Sequence, residues 1–216
     1  MFFDAKIESL DISHFNTGKA KNMSGMFGRM KLDNLDLSSF NTSGVVSMSC
    51  MFQEAEISNL NLSFVTTNVE NMAGMFRSCK TSSLNLSSFK TNKVKNMSAM
   101  FLGVELNTAL DLSSFHTSNV ESMSEMFSYC KIPHINLSNF NVSKVKDMSY
   151  MFWNCETNSL DLSKFDFSNV KVMSRMFFGA KISILNLSSL RADMVTDMKS
   201  MFERSQIGTL IFDYKK

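Results

Sequence analysis

Leu35-Asp36-Leu37-Ser38-Ser39-Phe40, followed by Val45-Val46-Ser47-Met48-Ser49-Cys50-Met51-Phe52, decides the architecture. Both halves recur along the whole chain. The Leu-x-Leu-Ser half starts at Leu10, Leu35, Leu60, Leu84, Leu110, Ile135, Leu160 and Leu185 and fades at Leu210. The steps are 25, 25, 24, 26, 25, 25, 25 and 25 residues. The Met-x-x-Met-Phe half starts at Met23, Met48, Met72, Met97, Met123, Met148, Met173 and Met198, and so takes 16 of the 19 methionines. The methionine excess is a repeated core position, not a metal-binding cluster. A fixed period of this length is the mark of a stacked repeat array.

Each unit reads as strand, turn, short helix and return. Leu-x-Leu-Ser-x-Phe alternates apolar and polar residues, as a half-buried strand does. Segments such as Asn41-Thr42-Ser43-Gly44 and His116-Thr117-Ser118-Asn119 favour turns and helix caps. Val45/Met48/Met51/Phe52 and Val170/Met173/Met176/Phe177 have the spacing of one face of a short α- or 3₁₀-helix. One unit cannot bury its own core, but stacked units can, strand pairing in parallel with strand. The expected fold is therefore an α/β repeat: a leucine-rich-repeat-like solenoid of eight to nine turns, roughly 40 Å long at the usual strand spacing. It forms a single domain over residues 1–216, with a partial repeat at 1–9 and a terminal strand at 210–216. The 24-residue step lacks one residue between Leu60 and Phe64, and the 26-residue step has one extra between Phe101 and Leu110. Both are expected in connections.

Composition sets limits on function. The chain has 216 residues, a net charge of +2, 44% hydrophobic and 19% charged residues, Gly 8 and Pro 1. So few glycines and prolines argue against an enzyme built on irregular loops. Balanced charge argues against nucleic-acid binding, which needs a concentrated Lys/Arg surplus. No run of about 18 apolar residues is present, so no membrane insertion is expected.

The paired motifs resemble those of the BspA-type leucine-rich-repeat surface proteins of bacteria, and the resemblance covers residues 1–212. It implies a parallel-stranded solenoid, displayed on the cell surface or secreted, that contacts a protein or glycan ligand in adhesion. It supplies no catalytic residues and no cofactor. Such proteins often carry a signal sequence or anchor, and none is legible here, so a cytoplasmic interaction scaffold is the alternative, with a structural spacer or stalk as another. The chain starts inside a repeat, at Met1-Phe2. The expectation is a longer natural protein, or an end-to-end contact with a second copy through Met1, Phe2 and Phe3.

Against this regular background the candidate sites are departures from the repeat and exposed columns. After Met-Phe most repeats carry Gly28, Gln53, Arg77, Ser128 or Glu203, whereas two consecutive repeats carry Trp153 and Phe178. Tyr129 lies one position further on in the repeat before. Stacking would gather Tyr129, Trp153 and Phe178 on one flank, and clustered exposed aromatics mark interaction sites. The second candidate is the strand-face column Asp11, Asp36, Asn61, Asn85, Asp111, Asn136, Asp161 and Asn186, which could meet sugars, a cation or a protein, or could simply be solvated. The serines from Ser13 to Ser188 recur in every repeat, so they read as a structural ladder rather than nucleophiles, which are single activated residues. Cys79, Cys130 and Cys155 share a small core slot, and a Cys130–Cys155 disulfide is not excluded by distance. His14, His116 and His134 fall in three different columns. Thr17, Thr42, Thr91 and Thr117 would suit an ice-binding face, but the column breaks at Val142, Phe167 and Ala192. Lys19/Lys21, Lys93/Lys95 and Lys144/Lys146 form a solvated basic edge offset by Glu70 and Glu121.

Overall fold

The computed structural model describes residues 1–191 and 193–213; Ala192 and the part of the expected terminal strand at 214–216 lie outside the described residues. The chain winds into a parallel β-solenoid. Its strands are β1 (Lys31–Asp36), β2 (Glu56–Asn61), β3 (Leu110–Asp111), β4 (Ile135–Asn136), β5 (Glu156–Asp161), β6 (Lys181–Asn186) and β7 (Gln206–Ile211). They form three parallel sheets, β1-β2, β3-β4 and β5-β6-β7. Within a sheet each strand pairs with its equivalent one repeat on, Leu35 with Leu60, Leu110 with Ile135, Leu160 with Leu185, and Leu185 with Leu210. A second ladder runs unbroken along the Met-Phe side through Asn22, Ser47, Asn71, Asn96, Ser122, Asp147, Val172 and Asp197. Eight rungs enclose seven steps, so the described solenoid has about seven turns rather than the eight to nine expected.

The expected helix in each repeat is not there. Among the described residues the one helical element is a three-residue 3₁₀ turn, Phe167–Asn169, capped by Asp166 and placed ahead of Val170. The Met-x-x-Met-Phe segment is a run of tight turns. In the first full repeat the N–H groups of Met26, Gly28 and Met30 donate to the carbonyls of Met23, Gly25 and Phe27, three residues back. The intervening N–H groups of Met23, Gly25, Phe27 and Arg29 point along the axis and donate to Ser47, Ser49, Met51 and Gln53 of the next coil at 2.8–2.9 Å. Alternate amides thus close turns and bind the neighbouring coil. A helix would spend them all internally on carbonyls four residues back. Two residues per repeat adopt left-handed φ to make this possible, for example Gly25 (φ 63) with Arg29 (φ 58), and Cys50 (φ 54) with Glu54 (φ 56). A left-handed residue cannot sit inside a right-handed helix. The apolar spacing of three fits a chain that turns every three residues as well as it fits a helix.

Stacking places every core residue on its equivalent. Phe2, Phe27, Phe52, Phe76, Phe101, Phe127, Phe152, Phe177 and Phe202 form one offset stack with centroids 5.3–5.8 Å apart and planes within 12° of parallel. This is the favoured separation for aromatic pairs. A second stack joins Phe64, Phe89, Phe115, Phe140 and Phe165. The buried apolar residues form one cluster from Ile12 to Met201.

The two irregular steps are absorbed differently. Elsewhere the Phe that ends the strand motif donates three residues back, as Phe40 does to Leu37 and Phe89 to Leu86. Phe64, one residue short, donates to Leu62 at 2.7 Å, a tightened turn that keeps its ring in the core. The extra residue near Leu106–Ala109 falls where a strand should begin, and only the two-residue β3 forms there.

The sign of one substitution separates the two backbones. In a helix Gly25→Ala would stabilise by about 1 kcal/mol. In a left-handed turn with open space around the new Cβ, whose nearest neighbour is Phe3 at 3.8 Å, it destabilises by about 1 kcal/mol. Urea unfolding of the two proteins is expected to show the loss.

Candidate functional site

The aromatic departures come together. Trp153 and Phe178 occupy the position after Met-Phe in neighbouring coils, and Tyr129 the left-handed position of the coil before Trp153. The Tyr129 and Trp153 rings are 4.9 Å apart at 60°, and Trp153 and Phe178 are 6.4 Å apart at 76°. Tyr150 joins them, 5.2 Å from Trp153 and again edge-on. Arg175 donates to the Tyr150 hydroxyl at 2.7 Å and lies 5.7 Å from its ring centre. The Arg204 guanidinium lies 5.5 Å over Phe178. The patch is therefore four aromatic rings rimmed by two cations. Tyr129 is 45% exposed, and Trp153, Tyr150 and Phe178 are half-buried. The Trp153 Nε1–H is buried and has no acceptor among the described residues, an arrangement that costs free energy unless something else pairs it.

Tyr150, Arg175 and Arg204 were not among the expected residues. Tyr150 and Arg175 stand in the left-handed column inside Met-x-x-Met, which elsewhere holds Gly25, Cys50, Gly74, Ala99, Glu125 and Ser200. An aromatic in that column was the available signal. Left-handed φ at Tyr129 (55°) and Tyr150 (59°) does not by itself mark function, because every coil has the same two bends.

The Asp/Asn column has a structural task. Each member's Oδ1 accepts the backbone N–H of the serine two residues on, in all eight repeats from Asp11–Ser13 to Asn186–Ser188. These turns, built by a side chain accepting from its own backbone, bend the chain at the end of the strand. The serine ladder thus works chiefly through its backbone amides. Asn61 and Asn136 also donate axially to Asp36 and Asp111 at 2.9 Å. The column is exposed except at Asn186, which is partly covered. The Ser13, Ser38 and Ser113 amides hold the Asp11, Asp36 and Asp111 carboxyls below their ordinary range.

The threonines are buried, not displayed. Thr17, Thr42, Thr66, Thr91 and Thr117 donate their hydroxyls to the backbone carbonyls of Asn41, Val65, Lys90, His116 and Asn141 in the next coil. That placement removes the ice-binding face and adds Thr66, which the shortened repeat hides; Ala192 lies outside the described residues. The histidines stay apart, His116 against the Ser114 carbonyl and His134 against Ser159. Among the described residues no group of three or more His, Cys, Asp and Glu is placed to hold a metal ion.

The charged residues are ordered by coil. Where the strands begin, Lys31, Glu56, Lys80, Glu105, Lys131, Glu156 and Lys181 alternate strictly. Glu56 bridges Lys31 and Lys80 at 3.2 and 2.9 Å, and Glu105 meets Lys131 at 2.8 Å. On the other side Lys95 pairs with Glu70 at 2.7 Å, and Lys93 and Lys144 donate to Asn68 and Asn119. Much of the expected basic edge is thus paired to its neighbouring coil.

A family model described as a Mycoplasma protein of unknown function, DUF285, matches residues 1–110 and 105–209. The two matches meet at the irregular segment around Leu106. No curated protein and no solved structure matches the chain.

The strand-end carboxyls make acid stability a test of the turn column. A carboxyl whose folded pKa lies below the unfolded value of about 3.9 stabilises the fold above that pH, and the benefit is lost as pH falls through the folded pKa. Replacing Asp11, Asp36 and Asp111 together by Asn keeps the acceptor, as natural Asn61 and Asn85 do, and removes the titration. Melting curves of this variant are expected to fall less steeply than wild type as pH drops below about 4.

Proposed function

The chain belongs to the DUF285 family, and we propose that within it this solenoid is a non-enzymatic binding module, surface-displayed, that holds a protein or glycan ligand in adhesion. The observation that carries this reading is the patch of Tyr129, Tyr150, Trp153 and Phe178 with Arg175 and Arg204 on its rim. The Asp/Asn, threonine and strand-start Lys/Glu columns repeat along the rod and are occupied with turns or intercoil pairs. The aromatic patch occurs once among the described residues, and aromatic and arginine side chains are those that dominate binding energies at interfaces. A kinship with BspA-type leucine-rich-repeat surface proteins belongs to the same proposal, supported by the Leu-x-Leu-Ser-x-Phe and Met-x-x-Met-Phe motifs. So does a contact between copies at the first coil, where Met1 is 80% and Phe3 48% exposed while Phe2 already stacks on Phe27. The described residues contain no helix long and apolar enough to cross a membrane.

The second reading is a spacer or stalk, or an intracellular scaffold. It is favoured by the Asp/Asn column, whose oxygens are already engaged in turns. A glycan and host-protein array separates the readings. The binding reading expects at least one ligand whose affinity falls about 30-fold or more when Tyr129, Trp153 and Phe178 are all replaced by Ala. A ligand that binds the variant unchanged would move the site to the strand face. No ligand for folded wild type would favour the spacer.

A further inference from the structure

Three of the four cysteines, Cys79, Cys130 and Cys155, stand in the column three residues after each Met-Phe. Side chains of one column point the same way and meet coil against coil. Cys79 has Ala55 and Val104 as its column neighbours, whereas Cys130 and Cys155 have each other. Their sulfurs lie 3.1 Å apart and both residues are fully buried. The backbone beside them is held in parallel register, Lys131 opposite Glu156, with the Glu156 N–H donating to the Cys130 carbonyl at 2.8 Å. Adjacent strands with side chains pointing one way meet the separation that a disulfide requires. Cys50 stands in another column, partly exposed, with its sulfur against the Ala73 carbonyl at 3.8 Å.

We infer that Cys130 and Cys155 are a modification site, closing a disulfide between adjacent coils when the protein meets a peroxide. One thiolate attacks a peroxide oxygen, the O–O bond breaks, and hydroxide leaves and takes up the proton that the thiol released. The resulting sulfenic acid is attacked at sulfur by the second thiol; an S–S bond forms and water departs. With hydrogen peroxide the two thiols lose two electrons and two protons, and the peroxide becomes two waters. Burial pushes the Cys130 thiol well above its ordinary pKa. The reaction therefore waits on local opening of the coil and is slow beside that of an exposed thiol. The bond would tie together the two coils that carry Tyr129 and Trp153, whose rings are in contact. It would stiffen that part of the surface whether or not the patch binds a ligand.

The test is incubation of the whole chain with hydrogen peroxide just below its melting transition, then denaturation, alkylation and digestion without reductant. Counting thiols this way is blind to methionine oxidation. The expected result is joint loss of Cys130 and Cys155 from the alkylated pool and recovery of their peptides as one linked pair. Tm should rise by several degrees and return after dithiothreitol. Cys130→Ala, at a position where Ala55 and Ala180 already fit, should fold, keep Cys155 alkylatable and show no thiol-dependent shift in Tm. Recovery of both cysteines as separate alkylated thiols would overturn the inference. So would either one linked to Cys50 or Cys79, or carrying a sulfinic acid.

Discussion

Every coil of this protein must lie on a near-copy of itself. The axial hydrogen bonds impose that constraint. Alternate amides of the Met-Phe segment donate to the next coil, as Phe27 does to Met51 and Phe52 to Met75, and the strands pair leucine on leucine. A side chain therefore spends its life against the same side chain one coil up and one coil down. For apolar residues this is favourable at once. Phenylalanines stack at their preferred separation, and methionines and leucines fill the space between them. Core composition follows from the geometry: a residue that packs well once packs well in every repeat.

For polar residues the same constraint is a cost, because like stands on like. Three remedies are visible. The strand-end Asp/Asn column mixes charged with neutral members and turns its acceptors onto serine amides. The threonines bury their hydroxyls but aim them at carbonyls of the next coil, so each of these hydroxyls is paired. Over the central coils the lysines and glutamates alternate. The coil with Glu56, Asn68 and Glu70 is followed by one with Lys80, Lys93 and Lys95, then by Glu105, Asn119 and Glu121, then by Lys131, Lys144 and Lys146. Over these four coils the charge repeat is two coils long; it stops at Lys171, which follows Lys146 in the same column. Each exposed pair is worth only about 0.2–1 kcal/mol, yet together they disfavour a coil that slips by one repeat, where lysine would face lysine.

Much of this was legible in the sequence, for identifiable reasons. The period and the inward columns needed only the spacing of Leu, Phe and Met. The meeting of Tyr129, Trp153 and Phe178 followed from the period, since one step of it is one step along the axis. The helix was misread because Met48, Met51 and Phe52 have the same spacing in a stack of tight turns; the spacing fixes which way side chains point and is silent on where the amides go. Tyr150 escaped because it precedes its Met-Phe rather than following it. Thr66 escaped because the deleted residue beside Phe64 shifts its column. The alternation of charge was present in the sequence, but it appears only when residues are compared across coils rather than along the chain.

The direction of the Phe27 amide tests the whole account most directly. Through-hydrogen-bond NMR couplings on labelled protein identify the carbonyl that accepts from it. Axial stacking predicts a coupling to Met51, in the next coil, with Met26 coupled to Met23. A coupling from Phe27 to Met23, four residues back, would mean a helix in each repeat and would contradict the stacked-turn architecture on which every column described above depends.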